Sequence, residues 1–129
     1  MITVLVNPNN AAAAASQIRE AEAAAPGLGL KVEIGRVNDF EKVFATISGP
    51  EARALLVGTD GLFLSFRDQL TATVARHKVP ALYDRREYVI GGGLVSYGIL
   101  FENYYRLLGV YAGRVLSGAR PAELPVQRP

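Results

Sequence analysis

The fold is decided by "ITVLVNPNNAAAAASQIREAEAAA", residues 2–25, where an apolar run gives way to an alanine-rich segment. Ile2 to Val6 is rich in β-branched residues and ends at Asn7-Pro8, a pattern typical of a buried strand. Alanine is the best helix former, and Asn9 or Asn10 is the expected N-cap because its side-chain oxygen can accept a hydrogen bond from the first helical N–H groups. The segment therefore predicts a strand followed directly by a helix.

The rest of the chain repeats this alternation of strands and helices. Further strands are predicted at residues 30–37, 54–57, 79–84 and 94–97, and further helices at 38–48, 66–77 and 100–116. Aliphatic strands that alternate with amphipathic helices favour a parallel sheet covered on both faces, with right-handed crossovers. The expected fold is therefore α/β, a three-layer α-β-α, doubly wound, mainly parallel five-stranded sheet. Residues 1–117 form a single lobe, and the proline-containing residues 118–129 leave it as an extended tail.

Two helices carry more detailed expectations. Asn38 is expected to cap the second helix, with Glu41 completing a capping box. Its apolar face is expected to consist of Phe40, Val43, Phe44 and Ile47. The last helix is expected to turn one apolar face inward, formed by Leu100, Tyr104, Leu108, Tyr111 and Val115.

Composition and local patterns exclude several classes of protein. The 129 residues carry a formal net charge of +2 and no cysteine. The basic side chains are scattered, so no nucleic-acid surface is expected, and thiolate chemistry and cysteine metal sites are excluded. The N-terminal apolar run is too short for a signal peptide or a membrane span.

No enzyme signature is present. Ser96 lacks the G-x-S-x-G context of a nucleophile elbow, and there is no Walker sequence. Gly27-Leu28-Gly29 lies between a helix and a strand rather than between a strand and a helix, so it is not a dinucleotide fingerprint. We expect no enzyme, no cofactor and no metal.

The polar ends of the strands predict where a ligand would bind. In an open parallel sheet, ligands bind outside the carboxyl ends of the strands. Four polar or glycine-rich groups fall there: 7–10, 59–62, 84–88 and 96–98. Each has a purely structural alternative, since the asparagines can cap a helix, Asp60 can stabilise a turn, and the charges near Arg86 can be a solvated run.

The side chains in these groups suit a polar organic solute. A carboxylate, either Asp60 or Glu87, can bind an ammonium group, and a helix N-terminus can bind a carboxylate. A single lobe covers only one side of such a solute, whereas small-ligand sites bury about 70–90% of the ligand. A second wall, from another domain or subunit, is therefore expected.

Three stretches resemble one family. "VNPNNAAAAASQIREAEAAA" resembles the N-P-x-N-P-x-A helix opening in the C-terminal lobe of ABC-transporter substrate-binding proteins, the group that contains tryptophan- and tyrosine-type binders. "HKVPALYDRREYVIGGGLVSYG" is similar to the family's H-x-L-P-A-x-Y…R-E-[FY]-V…G-G-L-x-S-Y-G block, and "GARPAELPVQRP" is similar to its closing stretch. The chain departs from the family at Gly61, where proline is common, and at Ile90, where an acidic residue is common.

The resemblance implies a type 1 periplasmic-binding fold, of which this chain would be the C-terminal lobe. It implies that the full protein binds an amino acid or similar small polar solute between two lobes and delivers it to an ABC permease. The missing N-terminal lobe would be the second wall, and the location would be periplasmic, or extracellular with a lipid anchor. The ligand-facing positions carried over by the resemblance are Asn7, Asn10, Asp60, Arg86, Glu87, Ser96 and Tyr97. The alternative is the effector-binding domain of a transcription regulator with the same fold.

Overall fold

The computed structural model describes residues 1–49 and 53–127. Its centre is a five-stranded sheet in the order β2-β1-β3-β4-β5, in which every neighbouring pair is parallel. The strands are β1 (Ile2–Val6), β2 (Val32–Arg36), β3 (Ala54–Val57), β4 (Ala81–Tyr83) and β5 (Val95–Ser96). The predicted fold class, an α/β doubly wound sheet of five parallel strands, is confirmed.

Within the described residues, six α-helices connect or follow these strands. They are α1 (Ala11–Ala24), α2 (Phe40–Ile47), α3 (Gly61–Ser65), α4 (Arg67–Arg76), α5 (Arg86–Ile90) and α6 (Phe101–Leu116). The sequence predicted one helix from Phe66 to His77, and α4 corresponds to it. The short helix α3 precedes the predicted helix and was not predicted; it begins at Gly61, directly after Asp60. The segment that contains α5 was predicted as a loop, and that prediction was wrong, since Arg86 and Glu87 open a helix.

Both faces of the sheet carry a hydrophobic core because alternate side chains of a strand point to opposite faces. On one face, Val4 and Val6 pack with Ala14 of α1. On the other face, Leu5 and Val57 belong to a larger core that also takes buried residues from α2, α3, α4 and α5. Helices on both faces make the three-layer arrangement expected for a parallel sheet.

Helix α2 buries the face that the sequence predicted but begins differently. Val43, Phe44 and Ile47 are buried. A short 3₁₀ turn over Val37–Asp39 precedes the helix, Asp39 stands at the N-cap, and no side chain makes a capping hydrogen bond there. The predicted Asn38–Glu41 capping box is therefore wrong, since the 3₁₀ turn moves Asn38 away from the N-cap position.

The chain divides into two compact units, residues 1–97 and residues 98–129. In the second unit, the described residues comprise α6 and a 3₁₀ turn at Pro121–Glu123, and Tyr111 donates a hydrogen bond to the carbonyl oxygen of Pro125. No residue of α6 is buried. The expectation that its apolar face points inward is wrong, because Tyr104, Leu108 and Val115 all remain exposed.

Two glycines of "YVIGGGLVSYG", residues 88–98, are required by local geometry: Gly92 and Gly93. Gly92 has φ = 102°, in the region that glycine adopts without strain. A Cβ at Gly93 would lie 2.8 Å from the ring of Tyr83 and 2.8 Å from the carbonyl oxygen of Tyr88. These two tyrosine rings stack with centroids 4.8 Å apart. The glycines therefore let the chain leave α5 and pass close to this stack before β5 begins.

Candidate functional site

The topology of the sheet singles out the crevice between β1 and β3. From β1 the chain moves to β2 on one side, and then crosses to β3 on the other side. In doubly wound sheets this reversal opens a crevice at the carboxyl ends of the two strands, where ligands bind. The loop after β1 contains Asn7 and Asn10, and the loop after β3 contains Thr59 and Asp60.

Asp60 is the centre of a hydrogen-bonded cluster in this crevice. Its Oδ1 accepts from Asn7 Nδ2 at 3.0 Å and from the Leu62 N–H at 2.9 Å. Its Oδ2 accepts from Asn10 Nδ2 at 2.8 Å. The structure thus joins three of the residues that the sequence singled out, and it also gives Asp60 the structural role of N-cap of α3.

The two asparagines do less capping than the sequence suggested. Asn10 stands at the N-cap of α1, yet its side chain makes no capping hydrogen bond because its amide points to Asp60. Asn7 Oδ1 accepts from the backbone N–H of Asn9 at 3.1 Å and so closes a local turn. The N–H groups at the start of α1 therefore have no side-chain cap.

The hydrogen bonds keep Asp60 ionised. Burial raises the pKa of its carboxyl, but the hydrogen bonds from Leu62, Asn10 and Asn7 outweigh that effect and hold the pKa below the ordinary value of 3.8. Within residues 1–49 and 53–127, no lysine or arginine forms an ion pair with Asp60. Asp60 is therefore a fixed negative charge in the crevice without a cationic partner among these residues.

Removing one donor should change the acid titration of this group. Asn10→Ala is expected to raise the pKa of Asp60 toward its ordinary value, as measured by NMR titration of the side-chain carboxyl. Because the folded-state pKa is depressed, Asp60 stabilises the fold above the ordinary value of 3.8, which it has in the unfolded chain, and this contribution is lost as pH falls through the lower folded value. Asn10→Ala should therefore lower stability near neutral pH and have little effect in strong acid.

The control for this variant is Asn9→Ala, which removes an exposed side chain from the same loop. It should leave the pKa of Asp60 unchanged. An unchanged pKa in Asn10→Ala would contradict the assigned hydrogen bond.

A second group of contacts joins the β3 loop to its neighbours. Thr59 and Asp84 belong to the strand-end groups that the sequence predicted, whereas Gln17 was not among the predicted positions. Gln17 Nε2, on α1, donates to the carbonyl oxygen of Thr59 at 2.8 Å. The Thr59 side chain hydrogen-bonds to Asp84 after β4, and Arg85 Nε lies 3.4 Å from the Asp84 carboxylate. Burial raises the pKa of Asp84, against the lowering effect of Arg85 and Thr59.

The remaining predicted positions lie at the ends of β4 and β5. Arg86 and Glu87 are exposed in the first turn of α5. Ser96 ends β5, and the next residue, Tyr97, donates its N–H to Tyr83 O at 2.9 Å while its side chain is 87% exposed. Among the described contacts, none joins these four residues to Asp60, so the structure groups Asn7, Asn10 and Asp60 only.

Neither a metal centre nor a membrane-spanning helix is found in the part of the chain that the structure describes. Within it, no group of three or more His, Asp or Glu residues could hold a metal ion. None of its helices combines the length and the apolar character that crossing a bilayer requires. The polar groups around Asp60 make hydrogen bonds and carry a negative charge.

A doubly wound parallel sheet with polar loops at its switch point defines an α/β domain, and comparison with known proteins identifies its family. The family model described as "ABC transporter substrate binding protein" matches residues 1–129. The chain therefore belongs to the ABC transporter substrate-binding protein family, and the resemblance noted in the sequence is confirmed. No curated protein matches the chain.

Several solved structures share the fold. An ABC domain from Streptococcus pneumonia in complex with L-Trp is 26% identical with a TM-score of 0.73. A conserved domain protein from Vibrio cholerae O1 biovar El Tor is 22% identical with a TM-score of 0.77. The ligand-free, open structure of a substrate-binding protein with adhesive properties from Clostridium difficile is 23% identical with a TM-score of 0.70. In each case the match covers 98% of this chain and 43% of the other, so the chain spans less than half the length of these structures.

Proposed function

We propose that this chain is one lobe of a solute-binding protein of an ABC importer, and that it binds the ammonium end of an amino acid or similar small cationic solute. The observation that carries the proposal is the ionised Asp60 carboxylate at the switch point, held by two asparagine amides and a backbone N–H. A carboxylate that is already fixed in position loses little freedom when an ammonium group binds to it. The lobe has no proposed catalytic role.

The start of α1 supports a zwitterionic solute. Its first N–H groups directly follow Asn10, whose side-chain amide binds Asp60, and no side chain caps them. Helix N-termini favour negative charge, so a carboxylate of the same solute suits this position. The two polar ends of an amino acid would then meet complementary charges in one crevice. The L-Trp bound to the Streptococcus structure is consistent with this class of solute.

A second lobe would complete the site. The matched structures are more than twice as long as this chain. Further polypeptide that closes over the crevice would supply the second wall that burial of a small solute requires. In the proposed protein, this N-terminal lobe and an ABC permease are the partners, and the location is outside the cytoplasmic membrane, periplasmic or lipid-anchored. The match to a substrate-binding family favours this function over a transcription regulator.

A panel of solutes tests the proposal in the full two-lobe protein. We expect one or more L-amino acids to raise the thermal unfolding temperature, since a ligand at 100 times its Kd stabilises the folded state by about 2.7 kcal/mol. For the solute that binds, the analogue without the amino group, such as indole-3-propionate in place of L-tryptophan, should produce a much smaller shift. Equal shifts from the two compounds would contradict an ammonium site, and no shift across the panel would reject amino acids as the solutes.

A further inference from the structure

The loop that carries Asp60 is attached to α1 at two points. Asn10, at the start of the helix, donates to Asp60 Oδ2 at 2.8 Å. Gln17, within the helix, donates to the carbonyl oxygen of the preceding residue, Thr59, at 2.8 Å. Positions 10 and 17 lie two turns apart on the same face of a helix with 3.6 residues per turn. One face of α1 thus contacts both residues of the Thr59-Asp60 dipeptide.

The close approach of this face depends on Gly58, the residue that precedes the dipeptide. A Cβ at Gly58 would lie 2.2 Å from Gln17 Oε1 and 2.8 Å from the carbonyl oxygen of Leu5. The Gly58 N–H also donates to that carbonyl at 2.9 Å. The Gln17 amide therefore occupies the space that a side chain at position 58 would need, directly beside the end of β1.

The β3 loop is bound by Gln17 on one side and by Asp84, which follows β4, on the other. The Thr59 side chain hydrogen-bonds to Asp84 after β4, and its backbone carbonyl is bound by Gln17. The Gln17 amide restrains the Thr59-Asp60 peptide through its carbonyl oxygen, and the contact with Asp84 restrains the Thr59 side chain. Rotation of this peptide would carry the Asp60 carboxylate away from Asn7 and Asn10. We infer that Gln17 is a positioning residue of the site: its amide fixes the Thr59-Asp60 peptide so that the Asp60 carboxylate faces the crevice in one orientation.

This role deepens the proposed solute-binding function, and its importance for solute affinity rests on that function. The geometric role itself is independent of any solute. A glutamine that only stabilised α1 would leave the pKa of Asp60 unchanged. The positioning role instead predicts that loss of the Gln17 hydrogen bond to Thr59 changes the pKa of Asp60.

The test replaces Gln17 by methionine, which keeps the length of the side chain and removes the N–H donor. The chemical shifts of the Asp60 carboxyl are followed by NMR through an acid titration. With the Thr59-Asp60 peptide released, the hydrogen bonds that lower the pKa of Asp60 should weaken, and the pKa should rise toward its ordinary value. Ser16→Ala is the matched control, since Ser16 is the neighbouring residue on α1 and its hydroxyl donates only along the helix, to Glu20, among the described contacts.

A second measurement uses the unaltered chain, so the inference can be tested even if the methionine variant does not fold. The side-chain amide of Gln17 should show a through-hydrogen-bond scalar coupling to the Thr59 carbonyl carbon and slow exchange with solvent. If solute binding has been established, Gln17→Met should also weaken it about fivefold, the loss typical of one hydrogen bond.

Each result decides the inference without reference to a solute. A raised pKa of Asp60 in Gln17→Met, with no change in Ser16→Ala, supports the positioning role. An unchanged pKa in Gln17→Met, or a Gln17 amide that exchanges freely and shows no coupling in the unaltered chain, overturns it. Failure of every amino acid to bind would reject the proposed function and would leave the pKa comparison valid.

Discussion

Replacement of Asp60 by asparagine in the two-lobe protein is expected to weaken binding of a cationic or zwitterionic solute by about 100-fold, because truncating one partner of a buried charge pair typically costs about 2–5 kcal/mol. Asparagine keeps the shape of the side chain and one oxygen that can accept from the Leu62 N–H. The charge that attracts the ammonium group is lost. In the unaltered protein, Asn7 donates to one oxygen of Asp60 and Asn10 to the other. In the variant, the asparagine at position 60 has a single acceptor oxygen, so one of these two hydrogen bonds is lost.

Titration calorimetry with the solute found in the panel measures this loss. Glu22→Gln is the matched control, since it removes one negative charge from an exposed position on α1, away from the crevice. It should leave Kd unchanged. Comparable affinities for the Asp60→Asn protein and the unaltered protein would reject Asp60 as the ammonium site.

Replacement of Phe63 by alanine is expected to lower the free energy of unfolding by about 3–5 kcal/mol, the cost typical of removing a fully buried aromatic side chain. Phe63 is 0% exposed and belongs to the core on the α2–α5 face of the sheet. It also anchors α3, the helix that Asp60 caps. Loss of this anchor should destabilise both the core and the loop that bears the candidate site.

Chemical denaturation of the unaltered and Phe63→Ala proteins gives the difference in free energy. Leu62→Ala is the matched control on the same helix, because Leu62 is 38% exposed and its removal leaves a smaller cavity. It should cost much less than Phe63→Ala. Equal losses of unfolding free energy in the two variants would contradict the orientation of α3 in which Phe63 is buried and Leu62 is partly exposed.

The strand and helix alternation of this chain was predictable because long elements carry a periodic pattern of apolar residues. The apolar run Ile2–Val6 and the spacing of Val43, Phe44 and Ile47 each identified an element and its buried face. Helices α3 and α5 have five residues each, too few to show a helical period. Helix α3 begins where Asp60 accepts a hydrogen bond from the Leu62 N–H, and α5 carries the buried ring of Tyr88. Burial of Tyr88 depends on the tertiary structure, so it is not visible in a five-residue sequence pattern.

The exposure of α6 could not be predicted from the sequence either, and the reason is different. An amphipathic pattern shows which face of a helix is apolar, but it does not show which surface covers that face. The sequence placed Tyr104, Leu108 and Val115 on one stripe, and this stripe remains exposed in the residues that the structure describes.

The candidate site was predictable in part. The rule that polar strand ends meet at one edge of a parallel sheet brought together Asn7, Asn10 and Asp60. Sequence alone left open whether Asn10 caps α1, because that depends on a carboxylate 50 residues away in the chain. Gln17 showed no signal by itself, since a glutamine in an alanine-rich helix is typical of a solvated surface. Its spacing from Asn10 becomes informative only when Thr59 is known to lie beside α1.

A crystal structure of the two-lobe protein with its solute tests the central claim most directly. We predict that the ammonium nitrogen of the solute lies within about 2.7–3.2 Å of an Asp60 carboxylate oxygen, in the crevice between the ends of β1 and β3. A solute whose ammonium group is bound by other residues, with Asp60 in contact only with Asn7, Asn10 and Leu62, would contradict the claim.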